Sequence, residues 1–195
     1  MSLAHVLLTS LLETPATGFE LARRFDKAIG QFWQATHQQI YRELARMEAA
    51  GWIASAPPAP GGRSRKRSYA VLAAGREELL RWAGEEAPLQ PLRDELMVRL
   101  RAEAIAGPLG LEREIARHMA VHRDKLRAYR AIEAEDFAPG RVLSRKARVM
   151  HLILKAGIRY EESWIAWSAE ALAELAALAA EDGEGGVQPP LRSPR

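Results

Sequence analysis

The stretch that decides the fold is Thr36-His37-Gln38-Gln39-Ile40-Tyr41-Arg42-Glu43-Leu44-Ala45-Arg46-Met47-Glu48-Ala49-Ala50-Gly51. Thr36 followed three residues later by Gln39 is a capping-box pattern, which commonly opens a helix. Gly51 belongs to the residue type that most often ends one. The sequence therefore predicts a helix over about 36–50, and its apolar face is formed by Ile40, Leu44 and Met47.

The opposite face of this helix is polar and basic. At about 100° per residue, Gln38, Arg42, Arg46 and Ala49 point away from the apolar face. Glutamine can pair with the edge of adenine and arginine with that of guanine, so one interpretation is a helix that reads DNA in the major groove. The other interpretation is a polar face that lies in solvent.

Two helices precede this stretch and a hairpin follows it. Helical spacing of apolar residues predicts a first helix over 2–13, and a second capping box opens a helix over about 18–29. After Gly51, two short strands at 52–56 and 66–72 flank a loop rich in Pro and Gly. Three helices followed by a hairpin, α-α-α-β-β, is the layout of a winged helix-turn-helix.

The end of the hairpin loop is basic, with a cluster formed by Arg63, Arg65, Lys66 and Arg67. The formal net charge of +3 lies entirely within residues 1–85, because basic and acidic residues balance over 86–195. A local basic surface of this kind suits a polyanion. The cluster is either a solubilising loop or, as its place beside the exposed helix favours, a contact to the DNA backbone.

The remainder of the chain is predicted to be helical, with segments over 74–83, 92–106, 111–135 and 144–180. The last would extend for about 55 Å at 1.5 Å per residue. It carries an apolar stripe of Val149, Ile153, Ala156, Tyr160, Trp164, Trp167, Ala171, Leu175 and Leu178. A helix of this length needs a partner, most simply the same helix of a second subunit.

The predicted organisation is therefore mainly α, with a winged-helix domain over 1–86, a helical dimerisation or effector domain over 87–180, and a disordered Gly/Pro-rich tail over 181–195.

Two groups of side chains in the second half allow more than one interpretation. Tyr160, Trp164 and Trp167 either line a pocket for a flat aromatic effector or lie in the core of a dimer interface, which we favour. His118 and His122 lie one helical turn apart, a spacing at which two histidines can chelate a metal ion, but neither a Glu in the HExxH arrangement nor a third ligand accompanies them. We expect no metal or cofactor and place His122 in the seam between helices.

Composition excludes several other classes of protein. The chain has 195 residues and no cysteine, so no disulfide, thiolate metal site or Cys nucleophile is available. No phosphate-binding Gly-rich loop, nucleophile elbow or metalloprotease helix is present, so we expect no enzyme. The apolar run over 6–12 is too short to cross a bilayer and lacks the features of a targeting signal, which predicts a cytoplasmic protein with no membrane partner.

Several motifs in order resemble the PadR family of transcriptional regulators. They are Thr17-Gly18-Phe19-Glu20-Leu21-Ala22, Phe32-Trp33-Gln34-Ala35 running into Thr36 to Leu44, Gly51-Trp52-Ile53, the basic wing into Tyr69, Ala74-Gly75-Arg76, and Arg93-Asp94-Glu95-Leu96. The second motif resembles the longer subgroup, which includes phenolic-acid-responsive repressors and has a large helical C-terminal domain. One departure is Leu72, which stands where the family usually has a Thr that caps the next helix.

The resemblance implies a homodimer that binds a palindromic operator in double-stranded DNA and represses transcription, with a small aromatic or phenolic ligand as effector. In such a protein the equivalents of Tyr41 and the wing residues touch the DNA backbone. The predicted DNA-binding residues are Gln38, Gln39, Tyr41, Arg42, Arg46, Arg63, Arg65, Lys66 and Arg67. The alternative from another class is a winged-helix module that binds proteins and has lost DNA binding.

Overall fold

A computed structural model describes residues 3–24, 35–57, 67–87 and 93–184. Its helices and strands, in chain order, are α1 (Leu3–Glu13), β1 (Ala16–Thr17), α2 (Gly18–Arg24), α3 (His37–Ala49), β2 (Ile53–Ala56), β3 (Ser68–Val71), α4 (Ala73–Ala83), α5 (Glu95–Ala106), α6 (Glu112–Asp136) and α7 (Arg145–Glu184). The chain divides into two compact units, Met1–Pro91 and Leu92–Arg195. This division falls five residues after the predicted domain boundary.

The core of the first unit is built where α1, α2, α3 and β2 meet. Its fully buried side chains include Leu7, Leu8, Leu11, Leu21, Ile40, Leu44, Met47 and Ile53. The predicted apolar face of the third helix is therefore confirmed. Burying a side chain of this size contributes about 1.5–3 kcal/mol, so this cluster dominates the stability of the unit.

Both predicted capping boxes are present. At the start of α2, the Thr17 amide donates to Glu20 Oε2 at 2.8 Å and the Glu20 amide donates to Thr17 Oγ1 at 3.2 Å. At the start of α3, the Thr36 amide donates to Gln39 Oε1 at 2.8 Å and the Gln39 amide donates to Thr36 Oγ1 at 3.2 Å. These bonds satisfy amides that have no partner within the helix, and so fix where each helix begins. The predicted extension of the second helix over 25–29 lies outside the described residues.

The sheet has one strand more than the sequence predicts. Besides the expected antiparallel pair of β2 and β3, the short strand β1 pairs antiparallel with β3, giving the order β1-β3-β2. The predicted order α-α-α-β-β is thus corrected to α-β-α-α-β-β. Two residues are too few to show a period of two, so no alternation marks this strand in the sequence.

The helix after the hairpin begins without a side-chain cap. Leu72 occupies the N-cap position of α4 and makes no capping hydrogen bond through its side chain, yet the helix begins directly after it. Its start is held by tertiary structure instead, because the Leu72 amide donates to the carbonyl oxygen of Trp52 at 2.9 Å.

A polar contact joins α4 to the core helix α1. The buried ring of His5 stacks on Trp82, with ring centroids 4.5 Å apart, and its Nε2 lies 2.9 Å from Glu78 Oε1. The guanidinium of Arg81 donates to both carboxylate oxygens of Glu78. Together Arg81 and His5 lower the pKa of Glu78 from 4.5 to about 2.

This contact makes the stability of the first unit depend on pH. Because folding lowers the pKa of Glu78, its contribution is complete above about pH 4.5 and is lost as pH falls towards about 2. Glu78→Gln is expected to cost about 1 kcal/mol of unfolding free energy at pH 7, and the cost should shrink in acid. Urea denaturation between pH 7 and pH 2.5 measures this. Glu77→Gln, at an exposed position of the same helix, is the matched control, and a cost that did not change with pH would contradict the assignment.

The second unit is a helical hairpin of α6 and α7 with α5 packed against it. Contacts between His151 and Glu133, and between His122 and Glu161, show that α6 and α7 run antiparallel. An apolar cluster of Leu96, Leu111 and Ile115 is surrounded by Met97, Leu100, Trp164, Trp167, Ala171, Leu172 and Leu175. None of the described helices is long and apolar enough to span a membrane.

The predicted apolar stripe of the last helix is divided between two environments. Trp164, Trp167 and Leu175 pack inside the unit, whereas Val149 and Ile153 are exposed. The expectation that the whole stripe needs a second subunit is therefore wrong for its middle, which α5 and α6 cover. The helix also continues through Glu184 rather than ending near residue 180. Residues 181–184 thus belong to α7, and the rest of the predicted tail lies outside the described residues.

Candidate nucleic-acid interface

The outward face of α3 presents the side chains that the sequence predicts. Gln38 and Arg42 are both exposed, and Arg42 makes no hydrogen bond or ion pair with another described residue. Gln39 is exposed too, but its Oε1 is used in the capping box. No side chain in the described ranges therefore occupies the guanidinium of Arg42.

Arg46 lies on the same face but is held within the chain. Its guanidinium donates to both carboxylate oxygens of Glu43, with Nη2 to Oε1 at 2.6 Å, and lies 5.7 Å from the ring centroid of Trp52. The hydrogen bonds from Arg46 to Glu43 raise the pKa of the Arg46 guanidinium. The two arginines are thus not equivalent, because a partner that binds Arg46 must compete with Glu43 and Trp52.

The end of α3 is joined directly to the hairpin. The Trp52 amide donates to the Met47 carbonyl at 3.0 Å and the Gly51 amide to the Glu48 carbonyl at 3.0 Å, with Gly51 at a φ of 71°. This pair of bonds is a Schellman motif, which reverses the chain and satisfies the last carbonyls of the helix.

Glu48 strengthens this joint. Its Oε1 accepts the amide of Ser55 in β2 at 3.0 Å. Hydrogen bonds from the Ser55 side chain and from this amide lower the pKa of Glu48, and the nearby charge of Arg67 lowers it further. Arg67 is exposed immediately before β3. The predicted wing residues Arg63, Arg65 and Lys66 lie outside the described residues.

Tyr41 is placed by a close approach that sequence reasoning missed. It is 47% exposed, and one edge of its ring lies against Gly18 at the start of α2. A Cβ at Gly18 would overlap Cε1 of that ring and lie 2.9 Å from its Cζ. The absence of a side chain at residue 18 therefore lets α3 approach α2. The Thr17-Gly18 pair at the start of the second predicted helix is the feature of the sequence that could have indicated this approach.

Gly18→Ala should force the Tyr41 ring out of this position. We expect a decrease of about 1–3 kcal/mol in unfolding free energy through overpacking. In a Tyr41→Ala background, where the ring is absent, the same change should cost less than about 0.5 kcal/mol. Urea denaturation of the four proteins of this double-mutant cycle measures the coupling, and additive penalties would show that the ring does not impose the glycine.

Two of the three predicted aromatic residues form a second candidate site in the other unit. Trp164 and Trp167 meet edge to face, with centroids 5.2 Å apart, beside a cavity of about 250 Å³. Its lining consists of Asp94, Met97, Ser163, Trp164 and Trp167. Tyr160 does not line this cavity. It is 56% exposed and makes an edge contact with His122 at 6.1 Å.

The two histidines of α6 each contact a glutamate. His118 Nε2 lies 3.2 Å from Glu114 Oε1, while His122 hydrogen-bonds Glu161 and stacks on Trp164. The predicted place of His122 in the seam between helices is confirmed. Among the described residues, no three His, Asp or Glu side chains are grouped to hold a metal ion.

The fold and this surface define a winged-helix protein whose first unit presents an exposed helix beside a hairpin. Residues 7–81 match the model of the transcriptional regulator PadR-like family, and residues 92–176 match the virulence activator alpha C-terminal model. A probable transcriptional regulator of Mycobacterium tuberculosis, Rv1176c, is 40% identical over 89% of this chain and 99% of its own length. The chain belongs to the PadR-like family of transcriptional regulators, and these relatives are not enzymes.

Solved structures agree with this assignment. The virulence activator AphA of Vibrio cholerae has a TM-score of 0.74 at 32% identity, over 91% of this chain and 99% of its own. PadR of Bacillus subtilis, described as a negative transcriptional regulator, has been solved in complex with operator DNA (TM-score 0.77, 22% identity, 88% of this chain and 97% of its own). It has also been solved with p-coumaric acid (TM-score 0.71, 23% identity, 89% and 98%). At these identities the PadR structures show the shared fold.

Proposed function

We propose that this regulator is a homodimeric repressor of the bacterial cytoplasm that binds a palindromic operator and is released by a small aromatic effector. The observation that carries the proposal is the exposed Arg42 face of α3, held against the hairpin by the turn at Gly51. Such a helix enters the major groove with its side chains at base edges, while the wing contacts phosphates. Two copies at fixed spacing would read two half-sites.

The proposal also specifies that this regulator represses transcription rather than activating it. The negative regulator PadR and the activator AphA share this fold, so the fold is compatible with either sign of regulation. We favour repression because the N-terminal motifs resemble those of phenolic-acid-responsive repressors. A dimer that occupies an operator can block polymerase without any additional protein contact. The effector would act by changing the distance between the two copies of α3 in the dimer, which prevents simultaneous binding to both half-sites.

A gel-shift titration tests DNA recognition. The probe is the DNA immediately upstream of the protein's own gene, compared with a scrambled sequence. Arg42→Ala should cost about 1–3 kcal/mol on the best operator and relax base preference at one position in each half-site, because a bidentate hydrogen bond to a base is removed. Arg46→Ala is the matched comparison and should relax base preference less, since Glu43 already binds that guanidinium.

The wing provides the complementary measurement. Replacing Arg65 and Lys66 by Ala should weaken binding to every sequence and flatten the slope of log affinity against log salt by about one unit for each phosphate that is no longer neutralised. If Arg42→Ala lowered operator and scrambled affinities equally while the wing variant altered base preference, the hairpin would be the element that reads sequence. Absence of salt-dependent DNA binding would favour the alternative, a winged-helix module that binds proteins.

The exposed part of the α7 stripe is the proposed dimer surface. Val149 and Ile153 remain 44% and 42% exposed, and the exposed Tyr160 continues the same helical spacing. Apolar side chains at such spacing pack against a partner helix when two subunits associate. Removing the whole helix would also destroy the packing of α6, so substitutions in the full chain are the cleaner test.

Val149→Glu combined with Ile153→Glu should shift the protein from dimer to monomer, because two charges would have to be buried at the interface. Sedimentation velocity at micromolar concentration measures this. Val142→Glu is the matched control, since Val142 is 97% exposed in the loop before α7 and lies outside the stripe. A double variant that remained dimeric would place the interface elsewhere, with α1 as the next candidate.

A further inference from the structure

The cavity beside Trp164 and Trp167 has a lining that specifies the charge of its ligand. We propose that it binds small aromatic cations, such as aryl-alkyl amines, in preference to phenolic acids. This inference rests on the proposed effector function and narrows the chemical class of the effector. It is carried by the presence of two indole rings and Asp94 in the lining of one cavity.

The indole rings form two walls at nearly a right angle. Their planes differ by 84°, so a flat ring that stacks on one indole meets the edge of the other. Met97 completes the apolar lining with a thioether, a group that packs well against aromatic rings. With a volume of about 250 Å³, the cavity accommodates a ligand of one aromatic ring and a short chain. The faces of these rings carry negative quadrupole charge, which attracts cations.

The ionised side chain that lines the cavity is negative, like the faces of the indole rings. Asp94 is the one ionisable side chain among the described lining residues, and Ser163 adds a hydroxyl. The Asp94 carboxylate is held in place as the N-cap of α5, because its Oδ1 accepts the Leu96 amide at 2.9 Å. No basic side chain lines the cavity in the described part of the chain. Arg93 lines a neighbouring depression instead, which it shares with Asp94.

Packing on the side of Trp164 away from the cavity holds its indole ring in place without a ligand. His122 stacks on Trp164 with ring centroids 5.0 Å apart and planes within 5°. His122 is in turn hydrogen-bonded to the buried carboxylate of Glu161. The indole therefore lies between the cavity and a histidine held by a glutamate, and its orientation does not depend on the ligand. A preformed wall spares the ligand the cost of ordering that side chain.

This arrangement discriminates between ligands of similar shape. An ammonium on a short chain could approach the Asp94 carboxylate while its ring stacks on Trp164 or Trp167. A carboxylate on the same chain would meet a like charge and give up favourable hydration without compensation. The cavity is therefore expected to disfavour an anionic acid such as p-coumarate. Its aromatic walls suit the ring of such an acid as well as the ring of an aromatic cation.

Three compounds of matched shape and different charge test the inference: tyramine, 4-ethylphenol and 4-hydroxyphenylacetate. Titration calorimetry with the full-length protein should give the order cation, neutral, anion, with tyramine about tenfold tighter than 4-ethylphenol. In Asp94→Asn, tyramine should bind about as weakly as 4-ethylphenol. Asparagine caps helices as well as aspartate does, so α5 keeps its N-cap and only the charge is removed. Asp124→Asn, at an exposed position of α6, removes the same charge elsewhere and should leave the order unchanged.

The outcomes separate this inference from the proposed function. The charge assignment would be overturned by any of three results: equal affinity for the three compounds, tighter binding of the anion, or an unchanged preference in Asp94→Asn. None of these results would contradict an aromatic effector site. If none of the three compounds bound the wild-type protein, the cation site would be refuted. Gel shifts with a wider panel of aromatic compounds would then decide whether the effector part of the proposed function also fails.

Discussion

The placement of the exposed helix α3 beside the hairpin in the first unit depends on the turn that ends α3. Hydrogen bonds from the Gly51 and Trp52 amides to carbonyls in the last turn of the helix satisfy groups that would otherwise lack partners, and they reverse the chain. The strand β2 begins one residue later, and the carboxylate of Glu48 binds its Ser55 amide. The angle between the exposed helix and the hairpin is therefore set by short-range hydrogen bonds.

This constraint gives different chemical roles to arginines that look alike in the sequence. Arg42 and Arg46 lie four residues apart on one face of the helix, but Trp52 and Glu43 engage only Arg46. Because the turn brings Trp52 back beside the last turn of α3, Arg46 becomes part of the joint between helix and hairpin. Arg42 is one turn further from that joint, and its exposed side chain has no hydrogen-bond or ion-pair partner among the described residues.

The second unit contains a buried polar contact between α6 and α7. His122 and Glu161 lie between α6 and α7, and burying such a pair carries a desolvation cost that apolar side chains would avoid. The pair lies behind Trp164 and orients the indole that forms one wall of the cavity. It also favours a single register between two long helices, because a slip along either helix would separate the histidine from its carboxylate.

Local patterns in the sequence determined most of the helices, both capping boxes and the outward placement of Gln38 and Arg42, because these depend on residues three or four apart. Tertiary structure alone decided the features that join distant segments. They include the pairing of β1 with β3, the approach of Tyr41 to Gly18, and the division of the α7 stripe into a covered middle and an exposed start. Periodicity shows which face of a helix is apolar but not what covers it. That depends on contacts between residues far apart in the chain, which no local spacing encodes.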